Sequence, residues 1–409
     1  MLTVEEAMEE ILQRAVPLAE ERRAVTESLG RTLAEDVVSD IDSPPYDKST
    51  VDGYALRVSD VATGQRTFTI AGEITAGDWP EQPVPPGMAV RIMTGAPLPA
   101  GVDAVVMVEH TTAAAWSTAP TIELDGRPLR VGQNILRRGQ SLRQGATVLR
   151  AGRVLRPAEI GLLSEVGRTE VSVVRRPRVA LLATGNELVP AASVPTRGQI
   201  RNSNGPMLRA LAEQSGAEAT DLGVARDTAD DLRQHLEHGL DHDVLVLSGG
   251  VSAGVLDLVP RVLQELGVVQ VFHQVQLRPG KPLWFGIRRG PSSVTLVLGL
   301  PGNPVSSLVC WELFARPALE RLQGRPALGL GSAHARLATA HEQRGDRPTY
   351  WPAVVERAAA HSPEELTVHL LDWQGSADLR TLSDANCLVH FPPGSRRYGA
   401  GEMVSLRTF

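Results

Sequence analysis

The sequence predicts a multidomain α/β plus β protein organised around a central doubly wound, mostly parallel α/β domain, and three observations predict it. Val179-Ala-Leu-Leu-Ala183, Val244-Leu-Val-Leu247 and Val294-Thr-Leu-Val-Leu298 are continuous apolar runs, the pattern of strands buried on both faces. Between them lie helical patterns: Met207-Leu-Arg-Ala-Leu-Ala212 closed by Gly216, Asp230-Asp-Leu-Arg-Gln-His-Leu236, and Leu258-Val-Pro-Arg-Val-Leu-Gln-Glu-Leu266 closed by Gly267. Strands that alternate with helices make βαβ units and a mostly parallel sheet. The third observation is length: 409 residues exceed the roughly 250–300 at which one hydrophobic core stops growing, so further domains are expected.

Residues 4–35 read as helical, through Val4, Ala7, Ile11, Val16 and Leu18 and then Val25, Leu29 and Leu33, with Gly30 as an interruption. Ile41-Asp-Ser-Pro-Pro-Tyr46 breaks that pattern, because each proline removes a backbone donor and restricts the residue before it. From 47 to 136 the runs are short and β-rich, such as Phe68-Thr-Ile70, Met88-Ala-Val-Arg-Ile-Met93 and Ala104-Val-Val-Met-Val108, parted by turns such as Val84-Pro-Pro-Gly87. Residues 137–174 carry a strand and the helix Pro157-Ala-Glu-Ile-Gly-Leu-Leu-Ser-Glu-Val166, closed by Gly167. A long helix spans 304–323, and the remainder, with Leu366-Thr-Val-His-Leu-Leu371 and Val404-Ser-Leu406, is a β module. The expected division is an N-terminal α+β domain from 1–46 and 137–174, a β-rich insert at 47–136, the α/β domain at 175–324 and a β-barrel-like domain at 325–409.

Composition narrows the function classes. Hydrophobic residues make up 42% of the chain but aromatic ones only 4%, with 38 Gly and 29 Pro, which describes aliphatic cores joined by tight turns. A net charge of −6 without a basic run argues against a nucleic-acid partner, so any anionic ligand must be held by local charge. The basic cluster Leu136-Arg-Arg-Gly-Gln-Ser-Leu-Arg143 reads as a solvated turn. Cys310 and Cys387 lack metal-ligand spacing and read as small core residues in a reducing compartment. Met1-Leu-Thr-Val-Glu-Glu6 has no basic or apolar leader and no window is long enough to span a membrane, so a cytoplasmic protein is expected, with no membrane partner.

In doubly wound sheets ligands sit at the carboxyl ends of the strands, and the informative loops lie there. Ser248-Gly-Gly-Val-Ser-Ala-Gly254 offers amides that can curl around an anion, since glycine reaches positive φ freely. Pro301-Gly-Asn-Pro304 opens a helix whose free amides form an anion site. Each loop is equally readable as an ordinary strand-to-helix turn. Leu277-Arg-Pro-Gly-Lys-Pro282 sets two cations around a Pro-Gly turn and can clamp an oxyanion from two sides. Asp52, Glu187, Asp227 and Asp257 sit in or beside turns, where carboxylates near a phosphate loop suit Mg²⁺, although each also reads as an N-cap or Asx turn. No Gly-x-Ser-x-Gly elbow, His-Glu-x-x-His or Walker loop appears, which turns the reading toward positioning of anions by loops and cations.

Taken together, these segments resemble the molybdopterin molybdenumtransferases of the MoeA family, related to the gephyrin E domain. The resemblance spans nearly the whole chain: Val51-Asp-Gly-Tyr-Ala-Leu-Arg57, Arg91-Ile-Met-Thr-Gly-Ala-Pro97 with Ala104-Val-Val-Met-Val-Glu109, Thr184-Gly-Asn-Glu-Leu188, Ser248-Gly-Gly-Val-Ser252 through Asp257, Arg278-Pro-Gly-Lys-Pro282, Leu300-Pro-Gly-Asn-Pro-Val-Ser306, Asp346-Arg-Pro-Thr-Tyr350 and Gln374-Gly-Ser376. It implies an elongated homodimer of four-domain subunits whose α/β domain is of the molybdopterin-binding type. The implied reaction takes adenylylated molybdopterin and molybdate, releases AMP and leaves molybdenum on the dithiolene, assisted by Mg²⁺. Molybdate would be held by Arg278, Lys281, Ser306, Arg347 and Ser376. Mg²⁺ would be held by Asp227 and Asp257, Glu187 would line the pterin pocket, and Asp52 and Thr94 would come across the dimer interface. Ser248, Gly249, Gly250, Ser252, Pro301, Gly302 and Asn303 would form the loops around the bound molecule. The upstream adenylyltransferase is a candidate partner. Departures are Gln140 and Ser141 where the family carries Gly-Glu-Asp, Arg278 for lysine, Asn186 for aspartate, and Val255 for an acidic residue. The alternatives are a molybdopterin adenylyltransferase, which would not need residues 1–174 or 325–409, and a non-catalytic gephyrin-like dimeric scaffold.

Overall fold

The computed structural model describes residues 1–112, 119–250, 258–290, 293–326, 333–357 and 366–409. The apolar runs form a six-stranded sheet of β1 (Arg178–Thr184), β2 (Glu218–Ala225), β3 (Val244–Ser248), β4 (Val269–His273), β5 (Trp284–Arg289) and β6 (Val294–Leu300), in the order β2-β1-β3-β6-β5-β4. The first four in that order are mutually parallel, β5 runs antiparallel to them, and β4 at the edge pairs antiparallel with β5. Three strands lay outside the sequence reading: β2 and β4 are more exposed and carry no continuous apolar run, and the buried part of β5, Trp284 to Ile287, is short and broken by Gly286.

Alternate residues of β1 explain why both sheet faces are covered. Val179 and Leu181 face one core, with Leu208 and Leu211 of α1 (Asn204–Gln214) and Val305 and Val309 of a long helix. Ala180 and Leu182 face the other, with Leu232 and Leu236 of α2 (Ala229–Gly239) and Val259, Val262 and Leu263 of α3 (Leu258–Glu265). The long helix is α4 (Pro304–Cys310), continued through one π turn (Trp311–Ala315) into Arg316–Leu322, and it ends as expected at Gly324, whose φ is +70°.

Asp243 fixes the amino-terminal edge of this sheet. Its two carboxylate oxygens accept from Arg175 at 2.7 and 2.6 Å, and one also accepts from the Arg178 N–H at 2.8 Å. Burial raises this carboxyl's pKa, but the Arg175 and Arg178 donors outweigh burial and leave it below the ordinary carboxylate range. The stabilisation is therefore complete above the unfolded-state pKa near 4 and is lost as pH falls through the lower folded-state value. Breaking a fully buried pair costs about 3–5 kcal/mol, and with Arg175 partly exposed we expect about 2 kcal/mol for Asp243→Asn at neutral pH. Urea unfolding at pH 7 and pH 3 checks this: the gap between wild type and variant should narrow at the lower pH.

The expected helix over residues 4–35 is corrected by the fold. Only Val4–Leu12 is α-helical, with a Thr3/Glu6 capping box, and it packs Val4, Ala7, Met8 and Ile11 into the core of the central sheet. Glu20–Ala24 is a strand paired antiparallel with Glu170–Val174, and Thr32 and Leu33 bridge to Val154 and Val173. Partners some 150 residues away supply the backbone hydrogen bonds, so tertiary pairing overrides the helical period, and Gly30 turns at φ +75°.

The β-rich stretch forms a five-stranded sheet of Gly53–Leu56, Thr67–Ile74, Met88–Ile92, Ala104–Met107 and Thr121–Glu123, with a short α-helix, Val58–Ala62, and a 3₁₀ turn, Val108–His110, that its β reading omitted. Gly53 is required at its centre, because a Cβ there would meet the Val106 carbonyl oxygen at 1.9 Å. The carboxyl-terminal part closes a barrel from Ala333–Leu337, Thr349–Arg357, Leu366–Leu370, Cys387–Phe391 and Met403–Thr408. No helix among the described residues is long and apolar enough to cross a membrane.

Candidate active site

Strand register assembles the site. Thr184 at the end of β1 lies opposite Ala225 of β2, Ala183 opposite Ser248 of β3, and Ser248 opposite Leu300 of β6. Because β5 runs antiparallel to β6, its first residue, Trp284, pairs with Gly299, which delivers the preceding 277–282 loop to the same edge. The order of the sheet reverses between β1 and β3, since the chain leaves β1 for β2 on one side and returns to β3 on the other. A cavity of about 680 Å³ opens at that switch point.

The cavity gathers eight of the sequence-predicted residues. Glu187 and Asp227 line it as exposed carboxylates, Ser248, Gly249 and Gly250 line it from β3, and Pro301, Gly302 and Asn303 from β6. Gly249 and Gly250 have φ of +88° and +63°; a Cβ on the first would meet the Thr184 carbonyl oxygen at 2.8 Å and on the second the Thr184 hydroxyl at 2.5 Å. Gly302 packs against Gly249: a Cβ on it would lie in ordinary contact, 3.7 Å, with the Gly249 Cα. Ser252 and Asp257 lie outside the described residues.

The helix start at 304 is less open than its sequence suggests. Pro304 has no N–H, and that of Val305 donates to the Ser376 carbonyl at 3.0 Å. Asn303 Nδ2 donates to the Ser376 hydroxyl at 2.8 Å, so the segment around 376 is seated on the helix amino terminus. Ser306 is buried in α4, 4% exposed, and is not among the cavity-lining residues.

An earlier stretch of the carboxyl-terminal part, Arg347 to Tyr350, meets the cationic loop. Arg278 forms a parallel bridge with Thr349: its N–H donates to the Pro348 carbonyl at 2.9 Å and its carbonyl accepts from Tyr350 at 2.8 Å. Arg347 donates from Nη1 to the Leu277 carbonyl at 3.1 Å. Arg278 and Lys281 are exposed, and neither side chain has an ion pair or hydrogen bond among the described residues, while the next residue, Pro282, lines the cavity. Gly280 sits with φ +121° against the Cys310 sulfur, where a Cβ would come within 2.7 Å. Burial raises the pKa of both Cys310 and Cys387, which keeps these two buried thiols protonated and agrees with their reading as core residues.

Two residues that sequence reasoning missed are built into the floor. Asn204, 7% exposed, donates from Nδ2 to the Ser248 hydroxyl at 2.8 Å and the Gly302 carbonyl at 2.7 Å, tying the two glycine loops together. Its Oδ1 and the Thr184 hydroxyl are buried without a protein partner, and both residues line the cavity. Nothing in Asn202-Ser-Asn204 marks this role in sequence, because it arises from where α1 begins beneath the loops. Asn186, where the family favours aspartate, accepts the Asp227 N–H at 3.2 Å and so holds Asp227 at the rim.

Asp52 and Thr94 are joined to each other but not to this cavity. Asp52 Oδ1 accepts from the Thr94 N–H at 2.7 Å and its hydroxyl at 2.8 Å, and these bonds, the amide first, hold its carboxyl below the ordinary range. The basic turn 136–143 is matched by acids: Asp42 accepts from Arg138 Nε at 2.7 Å and the Gln144 N–H at 2.9 Å, and Asp47 accepts from the Arg138 N–H at 2.8 Å. Ser141 is exposed in that turn, its N–H bonded to the Ser43 carbonyl.

No group of three or more metal-ligating side chains forms among the described residues. Mg²⁺ asks for less, one or two carboxylates with phosphate oxygens and water, and the Asp227 carboxylate at the rim, without a partner among the described residues, fits that demand.

Three family models match the chain along its length. Residues 2–167 match a family described as the MoeA N-terminal region (domain I and II), 180–321 a probable molybdopterin binding domain, and 334–409 the MoeA C-terminal region (domain IV). The chain is similar to the molybdopterin molybdenumtransferases of Staphylococcus aureus (strain Mu50), 33% identical over 418 aligned residues, and Staphylococcus epidermidis (strain ATCC 12228), 32% identical; each alignment covers 99% of this chain and 95% of the relative. The molybdopterin biosynthesis MoeA protein from Pyrococcus horikoshii OT3 superposes with a TM-score of 0.82 at 26% identity, covering 100% of both chains.

Proposed function

We propose, because this chain belongs to the MoeA family of molybdopterin molybdenumtransferases, that it inserts molybdenum from molybdate into adenylylated molybdopterin with release of AMP, as a step of molybdenum cofactor biosynthesis. The observation that carries this reading is the pair of exposed cations Arg278 and Lys281, without side-chain partners among the described residues, beside a cavity floored by glycine loops. A tetrahedral dianion needs donors from several directions, and Arg278, Lys281, Arg347 and the Ser376 hydroxyl supply three cations and a hydroxyl, with Ser306 buried in α4 behind them. The floor from Ser248 to Gly250, with Thr184 and Asn204, holds the pterin and adenylyl phosphate side. Glu187 lines the pterin end. Catalysis then rests on placing molybdate against the dithiolene and on stabilising charge on the departing AMP.

Asp227 with Asp257 would hold Mg²⁺, which when bound neutralises charge on the adenylyl phosphate. The protein acts as a cytoplasmic homodimer of four-domain subunits, in which Asp52 and Thr94 of the partner subunit complete the cavity. The upstream adenylyltransferase, whose product this site consumes, is its natural docking partner.

The test is AMP release by the purified full-length chain from adenylylated molybdopterin, with and without molybdate. Release that requires molybdate is expected. AMP formation that ignores molybdate and consumes ATP would sink the reading in favour of adenylylation.

A further inference from the structure

The cavity at the glycine loops is lined by two carboxylates, Glu187 and Asp227, and, among its described lining residues, by a single cation, Arg201. Arg278, Lys281 and Arg347 are not part of that lining, so assigning them to molybdate leaves the floor from Ser248 to Gly250 with no charge of its own. A diphosphate ester laid on this floor also comes close to Glu187 and Asp227. Like charges at such range repel unless a cation stands among them.

Local structure brings Arg201 to the same place. Leu188–Val189 and Ile200–Arg201 pair in parallel, with the Ile200 N–H donating to the Glu187 carbonyl and the Asn202 N–H to the Val189 carbonyl, both at 2.9 Å. Arg201 is thereby fixed to the stretch that carries Glu187. It also precedes Asn204 by three residues, at most about 11 Å of chain, and Asn204 holds the Ser248 hydroxyl at 2.8 Å and the Gly302 carbonyl at 2.7 Å. The Arg201 side chain is exposed and anchored at one nitrogen only: Nε donates to the Ser193 carbonyl at 3.0 Å, while Nη1 and Nη2 have no partner among the described residues. A planar guanidinium held in this way keeps two parallel donors open, the arrangement that grips two oxygens of one phosphate.

We propose that Arg201 is a substrate-binding residue that takes the diphosphate of the adenylylated substrate and then the phosphate of the departing AMP. The inference rests on the reaction proposed above for the identity of the ligand. It divides the cations of the site between the two ends of the reaction, Arg278, Lys281 and Arg347 for molybdate and Arg201 for the phosphates.

AMP and adenosine differ by the phosphate alone, and both are titrated calorimetrically into the full-length chain in metal-free buffer, so that the contrast reads the side chain and not an ion at Asp227. Wild type should bind AMP roughly 10- to 100-fold more tightly than adenosine, the effect of one charge-assisted contact. Arg201→Ala should remove most of that advantage and leave adenosine binding within about twofold. Arg201→Gln, which keeps polar bulk without the charge, should do the same and decides the matter if Arg201→Ala does not fold. A residue that only braced the 190–199 turn, or that stacked on the base, would weaken both ligands in parallel. That result, an AMP advantage that survives in the variants, or no AMP binding by wild type overturns the proposal. Molybdate-dependent AMP release by the same wild-type preparation separates the two readings. Release that requires molybdate beside an AMP advantage indifferent to Arg201 rejects this residue and keeps the reaction, whereas AMP binding that depends on Arg201 beside release that ignores molybdate keeps the residue and rejects the reaction.

Discussion

Lys281→Ala is expected to lower the molybdate-dependent rate of AMP release by roughly 10- to 100-fold, the loss of one hydrogen bond from a charged group to an anion. Lys281 is exposed and has no protein partner among the described residues, so its removal should leave stability within about 0.5 kcal/mol. The double variant Arg278→Ala with Lys281→Ala should lose roughly 1000-fold or more, because either cation can partly cover for the other at one oxyanion. The loss should fall on the KM for molybdate as well as on kcat. Arg347 needs a different control. Its Nη1 bonds the Leu277 carbonyl and so braces the loop that carries Arg278 and Lys281, and Arg347→Lys, which keeps charge but not the fork, separates bracing from anion binding. Normal rates in Lys281→Ala and Arg347→Ala together would remove these cations from the site.

What sequence made legible and what it hid follow a physical division. The buried strands β1, β3 and β6 announce themselves because a strand covered on both faces must be apolar throughout. Glycines 249 and 250 were legible for the same kind of local reason, since positive φ and a close neighbour leave few other residues possible. The strand Glu20–Ala24 was not legible: its hydrogen-bond partners are contributed by Glu170–Val174, and no window around it contains them. Asn204 was hidden likewise, because its value lies in reaching Ser248 and Gly302 at once, two loops that sequence places 44 and 98 residues away. The meeting of the Arg278 loop with Arg347 depends on a barrel strand beginning at Thr349 beside the loop that leads into the antiparallel β5, a juxtaposition of two sheets that no local pattern encodes. Local constraints are thus written locally, and the site is made largely of non-local ones.

Gly250→Val should be the most damaging single change to the cavity floor. At φ +63° a β-branched residue is strained by about 1–2 kcal/mol. Its Cβ alone would stand 2.5 Å from the Thr184 hydroxyl and 2.8 Å from Val259 Cγ2, and relieving such overpacking typically costs a further 1–3 kcal/mol. Neither neighbour yields easily, since Thr184 ends β1 and Val259 is 1% exposed in the core under α3. A destabilisation of about 3 kcal/mol in urea unfolding is therefore expected, together with a loss of roughly 100-fold in affinity for adenylylated molybdopterin, because the loop must retreat from the phosphate it would cradle. Gly223→Ala provides the calibration: Gly223 has φ +81° but nothing within 4 Å of its Cβ position, so it isolates the backbone cost at about 1 kcal/mol with no effect on binding. If Gly250→Val costs no more than Gly223→Ala and binds normally, the loop moves freely without consequence, and close approach of the main chain to the ligand is not what positions it.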